Sequence, residues 1–190
     1  WFNSGTNSQK NYYLEASYNQ LTVNTTFYPL AQNNLVVSWQ DSHPRAYFQP
    51  YNATTNPTGY NGDDERRNRE FTLLQNAVAA VASQVPASLN IDSDGDGNVD
   101  NAVFIVSGSS GEWSSLLWPH RWAIYDRNVT LNGKRVYDFN FQLKDFLASR
   151  GVGVICHEFF HTLGAPDLYH YTGNGIDPAG SWDLMCSDQN

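Results

Sequence analysis

Methionine is almost missing from this sequence: Met185 is the single one in 190 residues, and the chain opens on Trp1. With no initiator residue and no charged-then-apolar leader, it reads as a processed chain or a fragment. Positive charge is also scarce, 11 Lys and Arg against 19 Asp and Glu, for a net charge of −8. No basic patch is available to neutralise phosphates, which argues against nucleic acids and anionic membranes as partners. No apolar run reaches the roughly 18–20 residues that a membrane helix needs, so no membrane span is expected in this chain. Charged residues are only 16% of the total while hydrophobic residues are 41%, a balance that excludes wholesale disorder. Cysteine is limited to Cys156 and Cys186, so at most one internal disulfide can form.

What is present suits one domain with a real core. Aromatics make up 14%, in keeping with a sheet-containing fold and a deep cleft. Residues 8–19 read as a short helix capped by Ser8, and 21–28 (LTVNTTFY) and 35–39 (LVVSW) as strands. Residues 40–62 form a long Pro/Asn/Gly-rich loop, expected to be part of a rim or lid. Residues 63–85 carry the strongest helical pattern. Phe71, Leu74, Val78, Val81, Ala82 and Val85 share one face, acidic residues fill the first turn, and Pro86 ends the helix. AVFIVS (102–107) and KRVYDFNF (134–141) read as further strands. A last helix starts near Gly151. The sequons at Asn24, Asn52 and Asn128 arise readily by chance in so asparagine-rich a chain and carry no weight.

That last helix contains HEFFHTLGAPD (157–167). His157 and His161, four apart, lie on one helical face and can converge on one ion. Glu158 sits about 100° round from His157, poorly placed as a ligand but able to reach a water held by the metal as general base. Gly164 permits the left-handed residue that closes a helix, and Pro166 forbids its continuation. The turn returns the chain so that Asp167 can supply a third ligand, leaving a fourth position for water. The expected cofactor is catalytic Zn2+. HExxH alone is a weak signal; Gly at the seventh place after His157 and Asp at the tenth make it specific.

A second motif is DSDGDGNVD (92–100). Asp92, Asp94, Asp96 and Asp100 fall at positions 1, 3, 5 and 9 of a calcium-loop rhythm, with Gly97 at the sharp turn and Asn98 offering its carbonyl. Position 12 is Val103 rather than a bidentate glutamate, and a strand follows where an exit helix would be, so an EF-hand is excluded. The loop is expected to hold a structural Ca2+; the alternative is a solvated acidic turn.

HEFFHTLGAPDLY (157–169) resembles the zinc motif of the immune-inhibitor-A-like secreted metalloproteases, a metzincin-related family in which Asp replaces the usual third His. NYYLEASYNQL (11–21), IDSDGDGNVDNAVFIVSG (91–108), WPHRW (118–122) and SWDLM (181–185) resemble the same family, in its order and across most of the chain. The resemblance implies an α/β fold of the α+β zincin type, a metzincin-like catalytic domain with a twisted mixed sheet, a backing helix, an active-site helix and a Met-turn. It makes Met185 the Met-turn residue, an apolar floor beneath the histidines. It implies an extracellular, secreted zinc-dependent endopeptidase acting on protein or peptide substrates. Residues 1–190 would then be its catalytic domain, expected to be truncated at both ends. The oligomeric state is not indicated.

The chain departs from the usual metzincin pattern in two respects. No tyrosine follows Met185 within the last five residues, so a phenol assisting catalysis would have to be Tyr169 or Tyr171; packing is the other role for both. The carboxylate of Asp167 leaves a zinc site formally +1 rather than +2, which makes bound water somewhat less acidic. His120, inside WPHRW, is either a cleft residue or a hydrogen-bonded structural histidine. Cys156 and Cys186, each beside a motif residue, either bridge or remain two buried thiols. An inactive, calcium-stabilised zincin-like binding or adhesion module is the alternative to an enzyme. It predicts erosion at Glu158 or a ligand, and all four residues are intact.

Overall fold

In the computed structural model, which describes residues 1–172 and 175–187, a three-stranded mixed sheet forms the centre. It consists of β1 (Ala102–Val106), β2 (His120–Ala123) and, after a small hairpin of β3 (Thr130–Leu131) and β4 (Lys134–Arg135), β5 (Asp138–Leu143). The order is β1-β5-β2, with β5 parallel to β1 and antiparallel to β2. The alternation in DFNFQL explains the layering. Phe139, Phe141 and Leu143 turn to one face and are fully buried against Phe71, Leu74 and Val78 of the helix α2 (Asp63–Val81). Asn140 turns to the other face and meets the helix α4 (Val152–Thr162). Removing a ring such as Phe71 or Phe139 from this core would cost about 3–5 kcal/mol.

Helix α1 (Gln9–Ala16) starts where expected: the Ser8 side chain accepts a hydrogen bond from the Asn11 amide, satisfying a free donor of the first turn. Tyr13 docks α1 on α4, its hydroxyl donating to the Cys156 carbonyl at 2.6 Å. Helix α2 ends at Val81 and passes through a 3-10 turn, Ala82–Gln84, to the buried Val85 and then Pro86. α3 (Lys144–Arg150) follows β5 directly, and Gly151, at φ 69°, turns the chain into α4.

Several expectations are corrected. Residues 21–28 and 35–39 are not strands. Leu21 and Val23 pack beside Tyr13 but meet no partner strand, and Asn33 and Asn34, both at positive φ, make a tight turn closed by a single Gln32–Leu35 bridge. Alternation without a hydrogen-bonding neighbour does not make a strand. Residues 40–62, expected as part of a rim or lid, are tied to the body of the domain. Phe48 and Tyr60 are buried in the core, and the Arg69 guanidinium stacks 3.7 Å from the Tyr47 ring while donating to the carbonyls of Tyr47 and Thr58. The expected strand over 134–141 is split. Asn132-Gly133, both at positive φ, turn the β3–β4 hairpin, and the long strand begins only at Asp138. β2 and α3 were not anticipated. Among the described residues no helix is long and apolar enough to cross a membrane.

Candidate metal centre

The end of α4 builds the site. Gly164 sits at φ 94°; its amide donates to His161 O at 2.9 Å and the Ala165 amide to Phe160 O at 3.1 Å. This paired pattern closes a helix with glycine in the left-handed conformation. The chain then reverses, and Asp167 returns to the two histidines. Asp167 Oδ1 lies 3.1 Å from Nε2 of His157 and 3.3 Å from Nε2 of His161, and the three groups form one cluster of possible metal ligands.

The proton positions give this cluster its chemistry. Nδ1 of His157 is 2.9 Å from Leu184 O, and Nδ1 of His161 is 2.8 Å from Ala165 O. A carbonyl only accepts, so each Nδ1 carries a hydrogen, and a ring without a second proton turns a lone pair at Nε2 towards Asp167. Asp167 Oδ1 is correspondingly buried without a hydrogen-bond partner. Asp167 Oδ1 and the two Nε2 atoms thus face one another across a space that a shared cation, or a second proton on a histidine ring, would fill. Atoms about 2.0–2.1 Å from one tetrahedral ion lie about 3.3 Å apart, in keeping with the observed spacing. The residues fit zinc.

Electrostatics point the same way. Burial opposes protonation of His157, but a second proton on its ring would lie against Asp167, with Leu184 O and Glu158 adding to the pull, and the group is pushed up to about 9. His161 is raised chiefly by Asp167. Burial alone would raise Asp167, yet the two facing imidazoles and Tyr171 outweigh it and hold its carboxyl far below the usual range. The negative charge that favours a second proton on either ring would equally favour a metal cation there.

Glu158, next to His157, is only 6% exposed. Burial raises its pKa, while His157, His161 and His120 pull it back. Its own backbone carbonyl accepts from Asn140 Nδ2 at 3.2 Å, which ties this turn of α4 to the sheet. Met185 is buried at 2%. Its carbonyl accepts from the Leu168 amide at 2.8 Å, and the preceding carbonyl is the one held by His157, so the 183–186 turn lies directly against the cluster.

The other candidates separate. The Tyr171 hydroxyl donates to Asp167 Oδ2, a contact that pushes the phenol up to about 12. The Tyr169 ring packs 5.2 Å from that of Tyr171, and burial, then Asp167, raises its pKa. His120 is not in the cleft. Its ring stacks on Phe141, Nδ1 faces Trp118 O at 2.6 Å, and Nε2 faces the fully buried Glu70 at 2.7 Å. Cys156 and Cys186 are both free thiols, so the bridge left open by the sequence is not formed; Cys156 is packed among Tyr13 and Val152 instead, and burial pushes its thiol up to about 12.

In the acidic loop, Asp92, Asp94 and Asp100 come together. Asp96 does not join them; its carboxylate accepts from the backbone and side-chain amides of Asn98. Asp92 is the buried member. Its Oδ2 meets Lys134 Nζ at 2.6 Å and the Gly97 amide at 3.1 Å, and its Oδ1 is buried without a partner. Asp100 is engaged by Ser93 through both N–H and O–H.

Sequence reasoning missed the polar groups beneath the site: Arg121, Asp138, Asn140 and Thr162. The hint was present in DFNFQL, where polar residues alternate with fully buried apolar ones on a strand covered on both faces.

A helix carrying two histidines, set against a small mixed sheet, with an aspartate returned to them by a glycine-closed turn, defines the class: a mixed α/β domain with a three-residue cluster that could hold a metal ion. The family described as immune inhibitor A peptidase M6, catalytic domain, matches residues 2–189. The chain belongs to that family, which supports a metallopeptidase function. It is 26% identical to immune inhibitor A of Bacillus thuringiensis subsp. alesti over 93% of this chain and 28% of that protein. It is 27% identical to the pre-pro-metalloprotease PrtV of Vibrio cholerae serotype O1 over 72% of this chain and 18% of that protein. The chain thus spans less than a third of the curated relatives it matches.

Proposed function

We propose that this chain is the metzincin-like catalytic domain of a secreted zinc metalloendopeptidase. The observation that carries the reading is the convergence of two imidazole Nε2 atoms and the unpartnered Asp167 Oδ1, beside a buried glutamate. His157, His161 and Asp167 would hold the ion, and Met185 is its apolar floor. Zinc, when bound, supplies Lewis acidity towards a water and the scissile carbonyl. Glu158 takes a proton from the attacking water and passes it to the leaving amine, so its carboxylate serves as base and then as acid. The Leu184 and Ala165 carbonyls keep the proton on Nδ1 of each histidine and leave Nε2 for the metal. Tyr171 holds the outer oxygen of Asp167. Protein or peptide substrates and an extracellular location follow from the family resemblance.

The acidic loop is proposed to bind a structural calcium through Asp92, Asp94 and Asp100. The buried, unpartnered Asp92 Oδ1 supports this. Asp96, whose carboxylate accepts from Asn98, stands outside this ligand set, while the Asn98 backbone carbonyl stays a candidate ligand.

The test is metal analysis joined to casein hydrolysis. One zinc per chain and activity that is lost on chelation and restored by zinc are expected. A zinc-loaded protein that cleaves neither casein nor short peptides would refute the peptidase reading.

A further inference from the structure

Arg121 stands apart from every other group around the metal cluster. It lies on β2, an edge strand of the sheet, and pairs in register with Asn140. Directly opposed residues of antiparallel strands share a face, so Arg121 projects on the side where Asn140 meets α4. There it lines a cleft of about 390 Å³ with His161, Gly164, Ala165, Pro166 and Asp167, and it is the one Lys or Arg among those residues.

Its guanidinium is also held from below. Nη2 pairs with Asp138 Oδ2. Asp138 Oδ1 accepts from Thr162 Oγ1 at 3.1 Å, and Thr162 Oγ1 accepts in turn from Asn101 Nδ2 at 2.7 Å. Thr162 directly follows His161, so this chain of contacts fixes Arg121 relative to the metal ligands. The Asp138 side chain is 15% exposed and that of Arg121 35%; the carboxylate is set back in the wall while the guanidinium reaches the opening. A guanidinium has five N–H donors in a planar fork, more than one carboxylate oxygen can use. The remaining edge is available to a second, bidentate carboxylate, and a side chain already fixed loses little freedom on binding one.

We propose that Arg121 is a specificity-determining residue that binds an acidic side chain of the substrate close to the scissile bond. This rests on the peptidase reading above. Because Asp138 balances the charge, the preference acts on contact and contributes little at long range.

The experiment uses the intact, zinc-loaded protein and peptides that carry Glu or Gln at each position flanking the scissile bond. At one position, kcat/KM is expected to favour Glu by at least about 10-fold, the scale of a charge-assisted hydrogen bond. Arg121→Gln brings that ratio close to one, and Arg121→Lys, which keeps a charge but not the fork, gives an intermediate ratio. The ratio is internal to each variant, so general damage to folding or turnover cancels. A parent without a Glu preference at any position overturns the proposal, as does an unchanged ratio in Arg121→Gln. A zinc-loaded parent that cleaves none of the peptides overturns the peptidase reading itself, and the inference with it.

Discussion

Replacing Glu158 by glutamine separates its chemistry from its packing. The amide keeps the volume of a side chain that is 6% exposed and removes only the proton acceptor. The ligand cluster is tied by bonds that do not use the Glu158 side chain: His157 to the Leu184 carbonyl at 2.9 Å and His161 to the Ala165 carbonyl at 2.8 Å. The Asn140 contact goes to the Glu158 backbone and survives the change. Metal content and thermal midpoint should therefore stay near those of the parent while turnover collapses. A positioned general base contributes about 10²–10⁴-fold, so kcat should fall by that factor, or about 2.7–5.4 kcal/mol of barrier. The assay is steady-state cleavage of a fluorogenic peptide, with zinc determined on the same sample. Turnover within about tenfold of the parent, with zinc in place, would refute the assignment. Loss of zinc would instead show that the carboxylate supports the ligands.

Three further outcomes are expected. Tyr171→Phe should weaken zinc about 10–100-fold in a competition titration by freeing the outer oxygen of Asp167, and Asp167→Ala should weaken it more; equal affinity in Tyr171→Phe would leave that phenol a packing group. Calcium should raise the thermal midpoint by mass action, worth about 2.7 kcal/mol at a hundredfold excess over Kd, and Asp94→Ala should largely remove the rise; a midpoint indifferent to calcium would leave the loop an acidic turn held by Lys134. His120 has its folded-state pKa raised above the ordinary 6.5: burial opposes this, but Glu70 on α2, then the Trp118 carbonyl and Glu158 on α4, outweigh it. Its contribution to stability is then complete below about pH 6.5 and lost as pH rises through the folded value, so His120→Gln should flatten the fall of the midpoint on that alkaline side.

Much of the fold was legible where local and global preferences agree. The Ser8 cap, the acidic first turn of α2 and the Gly164 closure all act within a few residues, and each appears where the sequence puts it, whereas α2 stops at Val81 instead of running to Val85 before Pro86. Strands fared worse because a strand is a pair. LTVNTTFY alternates well enough, but among the described residues it meets side chains such as Asn3 rather than a neighbouring strand, whereas HRWA, with weaker alternation, becomes β2 because β5 is there to receive it. The loop at 40–62 looked detached for a related reason. Its composition is polar, and the contact that fixes it comes from Arg69 on α2, a residue that sequence alone places among the solvated charges of a helix.

The site shows the same division at shorter range. His157, Glu158, His161 and Asp167 lie within eleven residues, and the geometry of one helix and one turn is enough to bring them together. Several of the groups that orient them lie elsewhere in the chain. Nε2 of His157 faces Asp167 because a carbonyl from residue 184 holds the opposite nitrogen. The turn carrying Glu158 is fixed by Asn140, from a strand 18 residues earlier. Asn140 and Asp138 read as interruptions in an apolar strand, and an interruption on a buried face costs stability unless a partner answers it. Asn140 is answered by the Glu158 carbonyl and Thr162, and Asp138 by Thr162 and Arg121. All of these partners lie on α4 or at the mouth of the cleft. On this strand Asp138 and Asn140 moor α4 to the sheet, whereas Gln142, on the same face, is buried with neither side-chain atom partnered; Arg121 is the end of that mooring that reaches the cleft.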